Sequence, residues 1–186
     1  MPIAIGQALE SDFHNPLGML SDCHRRIARF LEMLINVTEQ ARGGELNDEQ
    51  RQALEASLKY FREGAPKHTA DEEDSLFPRV RTRAGDSGKR FALLTVLHSD
   101  HVAVVKAHEA VETLGRTWLR VGQLSNEDTD ILLDLLYGLR ETYQEHIEIE
   151  ETKLFPFAAK VLTPDDLCEI GKEMAHRRGL LPVGVG

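Results

Sequence analysis

Two stretches of the sequence share a pattern whose residue types could bind metal ions. Residues 68–78 read HTADEEDSLFP, and residues 146–156 read HIEIEETKLFP. Each stretch has a glutamate four residues after a histidine, and residues four apart lie on the same face of an α-helix. An imidazole and a carboxylate on one helix face are typical ligands of a transition-metal ion. The repeat therefore predicts two similar metal-binding half-sites.

A single histidine precedes each repeated stretch by a similar distance. His24 lies 44 residues before His68, and His101 lies 45 residues before His146. This spacing predicts two helical hairpins, each with one histidine on its first helix and a His-Glu pair on its second. Together they predict a two-metal centre with approximate two-fold symmetry. The candidate metal ligands are His24, His68, Glu72, His101, His146 and Glu150.

The candidate ligands lie on stripes that each helix otherwise fills with apolar side chains, as expected for faces that point into a core. The predicted stripes are Leu17, Leu20, Ile27, Leu31 and Leu34; Leu54, Leu58, Phe61 and Ala65; Phe91, Leu94 and Val105; and Leu132, Leu135, Leu139 and Tyr143. Buried carboxylates without partners are destabilising. A bound cation removes that cost, because it neutralises the carboxylates and accepts the imidazole lone pairs.

Helix-start and helix-stop signals divide the chain into five predicted helices. Asn15-Pro16 is typical of a helix start, whereas Gly43-Gly44 and Gly122 are breaks. The predicted helices span residues 16–41, 48–82, 88–120, 126–160 and 164–178. Sustained alternation of apolar and polar residues is absent from the sequence, so no sheet is expected.

The predicted fold class is all-α. Four long helices with short connections indicate an up-down-up-down four-helix bundle over residues 14–160. An N-terminal segment, residues 1–13, precedes the bundle. A short extra C-terminal helix and tail, residues 161–186, follow it, and this helix could also mediate a homodimer.

Composition and charge exclude several classes of protein. The net charge of −9 argues against a nucleic-acid binder, which normally has a basic face. The sequence lacks an apolar stretch long enough to span a membrane, so no membrane partner is expected. It has two cysteines, Cys23 and Cys168, and no visible secretory signal. A cytoplasmic protein is the expectation.

This histidine-rich pattern resembles the hemerythrin-like family, the HHE cation-binding domains, in motif order and spacing over residues 14–160. The resemblance implies a non-haem di-iron centre with an oxo or hydroxo group between the two irons. The ligand types by themselves are also compatible with zinc or manganese. By the resemblance, Glu72 and Glu150 bridge the irons, and the terminal iron ligands are His24, His68, His101 and His146.

The resemblance implies three alternative functions. The first hypothesis is a protein that binds dioxygen or another small diatomic molecule as a store or sensor. The second is an enzyme that acts on peroxide or nitric oxide, or an iron donor for cluster repair. The third is a bundle in which the metal is only structural. Whether the chain is an enzyme therefore stays open, with binding preferred to turnover.

Some residues near the candidate ligands have two predicted roles. His98 lies three residues before His101, on nearly the same core-facing side of the helix. It is either a fifth histidine ligand, as in the oxygen-carrying members of the family, or a residue outside the ligand set. His108 either hydrogen-bonds to a ligand or lines an access channel. Tyr143 either packs, which we prefer, or hydrogen-bonds to a bound oxygen species. Glu73 and Glu151 are rotated about 100° from the ligand face, so we expect them at the surface or hydrogen-bonded to a ligand.

The Leu-Phe-Pro ending of each stretch has a structural interpretation. The leucine and phenylalanine are expected to cover the site from one side. Pro78 and Pro156 are expected to kink or stop their helices just beyond it, because proline lacks the N–H that continues a helix.

Overall fold

The protein is a bundle of helices, and the all-α prediction is confirmed. The computed structural model describes residues 11–85 and 88–180, with side chains described for all of these except residues 88–91. Within those ranges there are helices and turns but no β-strand. Residues 1–10 of the predicted N-terminal segment, residues 181–186 of the predicted C-terminal part and the predicted core side chain of Phe91 lie outside the described residues.

The five predicted helical stretches are confirmed, with ends that differ by about two residues at most. The α-helices are α1 (Pro16–Ala41), α2 (Asp48–Glu63), α3 (Ala65–Ala70), α4 (Phe77–Ala84), α5 (Gly88–Val121), α6 (Asn126–Ile149), α7 (Phe155–Val161) and α8 (Pro164–Arg177). The predicted second helix comprises α2 to α4, and the predicted fourth comprises α6 and α7. None of the helices in the described ranges combines the length and apolar character needed to cross a lipid bilayer.

Local side chains explain where the helices begin. The Asn15 side chain accepts a hydrogen bond from the Gly18 N–H at 3.2 Å, which satisfies one free donor at the start of α1. At the start of α2, Asn47 and Gln50 each accept a hydrogen bond from the other's backbone N–H. This reciprocal pair is a capping box. The start signals in the sequence therefore correspond to real caps.

The candidate ligands lie in a polar layer between two apolar clusters. Helices α1 and α5 each pack against both α2 and α6. One cluster lies on one side of the layer and includes Ile27, Leu31, Leu58, Trp118, Leu132 and Leu136. The other lies on the opposite side and includes Leu20, Leu76, Phe77, Leu97, Leu154 and Ile170. Because both clusters exclude water, the polar layer between them is buried as well.

One predicted stripe is partly wrong. On α5, Val105 is 52% exposed and the side chain of His98 is 56% exposed, although both were expected to face the core. The buried face runs through Leu94, Leu97 and His101 instead. His98 follows Leu97 directly, so it is rotated about 100° from that face.

The two segments that carry the glutamates are wound as π-helix rather than α-helix. They are Asp71–Leu76, the first π segment, and Glu150–Leu154, the second π segment. At the end of each, a phenylalanine N–H donates to the carbonyl of the glutamate five residues earlier. Single π turns of this kind occur often at functional sites.

Of the two effects predicted for Pro78 and Pro156, a kink or a stop, the stop does not occur. The helices continue beyond them as α4 and α7. A prolyl ring collides with the carbonyl four residues earlier and offers no N–H to it. In both places the preceding turn is widened into a π segment, which gives the ring room and lets the helix continue.

Helix α8 covers one end of the bundle, where it contacts α1 and the first π segment. Its apolar residues Ile170 and Met174 are fully buried. Its last turn is held by Asp71, which is fully buried and accepts hydrogen bonds from Arg177 at 2.9 Å and from Arg178 at 2.6 Å. Since Asp71 directly precedes Glu72, α8 also supports the segment that carries this candidate ligand.

We expect Asp71→Asn to lower the free energy of unfolding by about 2 to 3 kcal/mol, because both arginines lose their charged acceptor in a mostly buried place. Urea denaturation followed by circular dichroism measures this. The matched control is Asp130→Asn, at an exposed position of α6 where the carboxylate lies 3.8 Å from Arg42, and it should cost less than about 1 kcal/mol. Equal effects of the two variants would contradict the role of Asp71.

Candidate metal centre

All six candidate ligands meet in the buried polar layer. They form two overlapping groups of four, in each of which one ligand atom per residue lies within 4.8 Å of the others. The first group contains His24, His68, Glu72 and Glu150, and the second contains Glu72, His101, His146 and Glu150. Both glutamates therefore belong to both groups, as expected of carboxylates shared by two cations.

Each group takes its two histidines from one hairpin. The His24 ring on α1 meets the His68 ring on α3 edge to face, with ring centroids 4.9 Å apart. The His101 ring on α5 lies 4.6 Å from the His146 ring on α6. The glutamates of the two π segments lie between these pairs. The arrangement has the approximate two-fold character that the repeated sequence predicts.

The carboxylates are buried without hydrogen-bond donors. Glu72 and Glu150 are fully buried, and within the described part of the chain none of their oxygens accepts a hydrogen bond. Imidazole nitrogens are close, with His24 Nε2 lying 3.0 Å from Glu150 Oε2, but the geometry is not that of a hydrogen bond. Burying such groups alone costs several kcal/mol. A metal ion fits them, because it binds the lone pairs that the protein leaves unused.

The same proximity shifts the acid–base properties of the site. Burial by itself would lower the pKa of His24, but the carboxylates of Glu150 and Glu151 outweigh it and raise the pKa to about 11. Burial by itself would likewise lower the pKa of His101, but the Glu72 carboxylate outweighs this effect and raises the pKa to about 9. The pKa of His68 is lowered, mainly by burial. At least two of the four histidines, His24 and His101, thus hold protons that a metal ion has to displace.

The second glutamate of each repeated stretch orients a histidine of the other hairpin. His24 Nδ1–H donates to Glu151 Oε1 at 2.7 Å, and His101 Nδ1–H donates to Glu73 Oε1 at 2.7 Å. Each bond fixes the ring and leaves Nε2 directed at the shared glutamates. Such carboxylate–histidine contacts set the tautomer of a metal-binding imidazole and raise its basicity.

The other two histidines differ from each other in this respect. His146 Nδ1–H donates to Asp100 Oδ2 at 3.3 Å, whereas His68 Nδ1 has no hydrogen-bond partner among the described residues. Sequence reasoning did not identify Asp100, which has no counterpart in the repeat. For Glu73 and Glu151 there was a signal, since the Glu-Glu pair occurs in both stretches.

We expect Glu73→Gln and Glu151→Gln each to weaken metal binding by about 10- to 100-fold while leaving the fold intact. An amide can accept the histidine N–H, but it lacks the negative charge that makes the imidazole more basic. Chelator competition followed by metal analysis measures the affinity. Glu148→Gln, at an exposed position of α6, is the control. Wild-type affinity in both variants would contradict the orienting role.

His98 lies outside both groups of four. Its exposed ring donates through Nδ1–H to Glu73 at 3.0 Å, on the same oxygen that holds His101. Of the two roles predicted for His98, the geometry therefore favours a residue outside the ligand set. There His98 contacts Glu73, which orients the ligand His101. Four histidines, not five, face the glutamates.

The buried cysteine and the other histidines lie outside the two groups of four. Cys23 is buried, and burial raises the pKa of its thiol, which favours the inert form. His14 and His176 are exposed, and neither belongs to a group of four. Tyr143 and His108 form a hydrogen-bonded pair, with Oη and Nε2 2.8 Å apart.

Comparison with known proteins agrees with this geometry. An uncharacterized protein of Haemophilus influenzae is 26% identical over 171 residues, which cover 89% of this chain and 91% of that protein. The family model of the hemerythrin HHE cation-binding domain matches residues 15–158, a range that contains every candidate ligand. The chain therefore belongs to the hemerythrin HHE cation-binding domain family.

Proposed function

We propose that the protein binds two iron ions, one in each group of four, with Glu72 and Glu150 as carboxylates shared between them. The observation that carries this proposal is that the two groups overlap in those two buried glutamates, whose oxygens accept no hydrogen bond from any described residue. Mixed imidazole and carboxylate ligands without thiolate suit iron. The four histidines would be the terminal ligands.

We also propose the up-down-up-down arrangement for the four long helical stretches. Helix α1 packs against α2 and α6, and α5 packs against the same two. Only a few residues connect consecutive stretches, and short connections favour antiparallel neighbours. In such a bundle each hairpin presents its ligands at one level.

The first proposed function is to bind dioxygen or a related small ligand at this centre, as a store or sensor. A small cavity of about 10 Å³ is lined by all four histidines and by neither glutamate. That space suits about one molecule of the size of water. Two ferrous ions would supply the two electrons that dioxygen takes up when it binds. The protein would contribute the apolar surroundings of Ile27 and Ile147, which keep bulk water out.

The position of His98 favours a second candidate, an enzyme that acts on peroxide or nitric oxide. Oxygen-carrying relatives are distinguished by a fifth histidine, and His98 faces Glu73 and solvent instead of the shared glutamates. With four histidines, a further coordination position is left for a substrate to reach both ions.

Anaerobic loading followed by exposure to air separates these functions. The protein is purified with ferrous iron, its iron content is measured, and visible spectra are recorded as air is admitted and then removed. A visible charge-transfer band that disappears when dioxygen is removed supports a store or sensor. Irreversible oxidation with catalytic loss of added peroxide supports the enzyme. Bound zinc with no affinity for iron would contradict both.

A further inference from the structure

A second and much larger cavity lies beside the small one and takes no part in the proposed function. Its volume is about 440 Å³, and residues of α2, α3, α5 and α6 line it. It shares four lining residues with the small cavity next to the histidines, namely Ala65, Thr69, His101 and Tyr143. The large cavity therefore ends at the inner wall of the candidate metal centre.

The size of this cavity exceeds what a diatomic ligand needs. Pockets for small organic molecules in proteins have volumes of about 300 to 1,000 Å³. A closed apolar cavity of about 150 Å³ is enough for benzene. The large cavity thus has room for an organic molecule somewhat larger than a benzene ring.

The walls of the cavity disfavour an anionic ligand. They are mostly apolar and include Leu58, Phe61 and Val104. The basic residues in the lining already have acidic partners. Arg62 pairs with Glu112 at 2.8 Å and with Glu63 at 3.0 Å, and His101 pairs with Glu73 at 2.7 Å. A carboxylate or phosphate would find no unpaired cation among the lining residues, all of which belong to the described part of the chain.

The inner end of the cavity offers one neutral polar pair. His108 Nε2 and Tyr143 Oη lie 2.8 Å apart, and the His108 ring stacks on Phe61 with centroids 4.5 Å apart. Burial lowers the pKa of His108 to about 4 and raises the pKa of the Tyr143 phenol, so both side chains are uncharged at neutral pH. The stacking and the hydrogen bond hold the pair in place.

This pair retains hydrogen-bonding capacity for a ligand. A phenol hydroxyl has one donor and two acceptor sites, and the bond to His108 uses only one of them. Tyr143 borders both cavities. Its hydroxyl is therefore the polar group at which an otherwise apolar molecule would be anchored.

We propose that the large cavity is a binding site for a neutral organic molecule with one hydroxyl group, a phenol or an alcohol. The apolar part lies against Leu58, Phe61 and Val104, and the hydroxyl bonds to the Tyr143–His108 pair. An occupant would stand between solvent and the small cavity, and would slow the reaction of the centre with dioxygen. That last consequence rests on the proposed function, whereas the binding site itself does not.

Calorimetric titration of the purified, iron-loaded protein tests the site. The probe is 4-ethylphenol, and 4-ethyltoluene is the comparison because a methyl group replaces its hydroxyl. Tyr143→Phe should weaken binding of 4-ethylphenol by about three- to tenfold, the effect of one hydrogen bond. The affinity of the Tyr143→Phe variant for 4-ethyltoluene should equal that of the wild type.

A pair of matched tryptophan variants tests the location. Val105 lines the cavity and is 52% exposed, so Val105→Trp can fill the space at little cost to folding and should weaken binding of both probes at least about tenfold. Val102 on the same helix is 60% exposed and does not line the cavity. Val102→Trp should bind both probes as the wild type does.

The outcomes separate the inference from the proposed function. Iron-loaded wild-type protein that shows no saturable binding of 4-ethylphenol overturns the inference and leaves the di-iron proposal standing. Binding that neither Tyr143→Phe nor Val105→Trp changes also overturns it. Binding with the expected pattern in protein that takes up no iron supports the inference, although the proposed function then fails.

Discussion

Glu150→Gln is expected to reduce bound iron from near two ions per chain to near none. Glu150 belongs to both groups of four, so the substitution removes a negative charge and a carboxylate oxygen from each ion at once. The amide of glutamine has nearly the same shape as the carboxylate that it replaces. The loss of iron therefore reflects the missing charge and the weaker ligand, and does not reflect altered packing. Glu72→Gln should behave in the same way. Metal analysis of protein purified with ferrous iron measures the result.

Two comparisons complete this test. His68→Ala removes a ligand of one group only, and we expect it to strip iron as well, because a half-filled centre leaves the shared glutamates poorly neutralised. His14→Ala is the control, since His14 is exposed and lies in neither group. Circular dichroism verifies that each variant is folded. Wild-type iron content in Glu150→Gln would refute the assignment of the shared glutamates.

Metal affinity is expected to rise steeply with pH. The pKa of His24 is about 11 and that of His101 about 9, so at neutral pH each group of four holds at least one proton where the metal must bind. Metal binding releases these protons. Below about pH 9, the apparent association constant should therefore rise about tenfold per pH unit for each ion, and about a hundredfold for the pair.

Proton release can be measured directly. Metal ions are added to chelator-stripped protein in weak buffer at pH 7.5, and a pH indicator dye reports the protons set free. We expect at least two protons per chain. The Glu148→Gln control should match the wild type, because its exposed side chain is outside both groups. Release of fewer than one proton would show that the histidines are neutral before metal binds.

The same shifts predict how stability depends on pH in stripped protein. Both histidines have a folded-state pKa above the ordinary value near 6.5, so their contribution to stability is fully present below pH 6.5. It is lost as the pH rises through about 9 and then about 11. Urea unfolding of stripped protein should therefore show a decline over this range. Iron-loaded protein should show a smaller decline, because its bound imidazoles carry no proton.

Local signals made the helices and the candidate ligands predictable. Caps such as Asn15 and Asn47 act within one turn, so the sequence alone identifies where helices start. The His-Glu spacing of four residues places both side chains on one face of any helix.

The wrong assignments on α5 have a different origin. A helix with apolar residues on several sides does not reveal its buried face, and Val105 and His98 were placed on the wrong one.

The sequence by itself determined the helical fold class, the approximate helix ends and the six residues that meet at the centre. Only the tertiary structure decided which side chains orient them, because the bonds from His24 to Glu151 and from His101 to Glu73 join different hairpins. The same holds for the two arginines at the C-terminal end of α8 that donate to Asp71, and for the large cavity bounded by four helices. Contacts between distant residues depend on how helices pack, and the pattern along one helix carries little information about its neighbour.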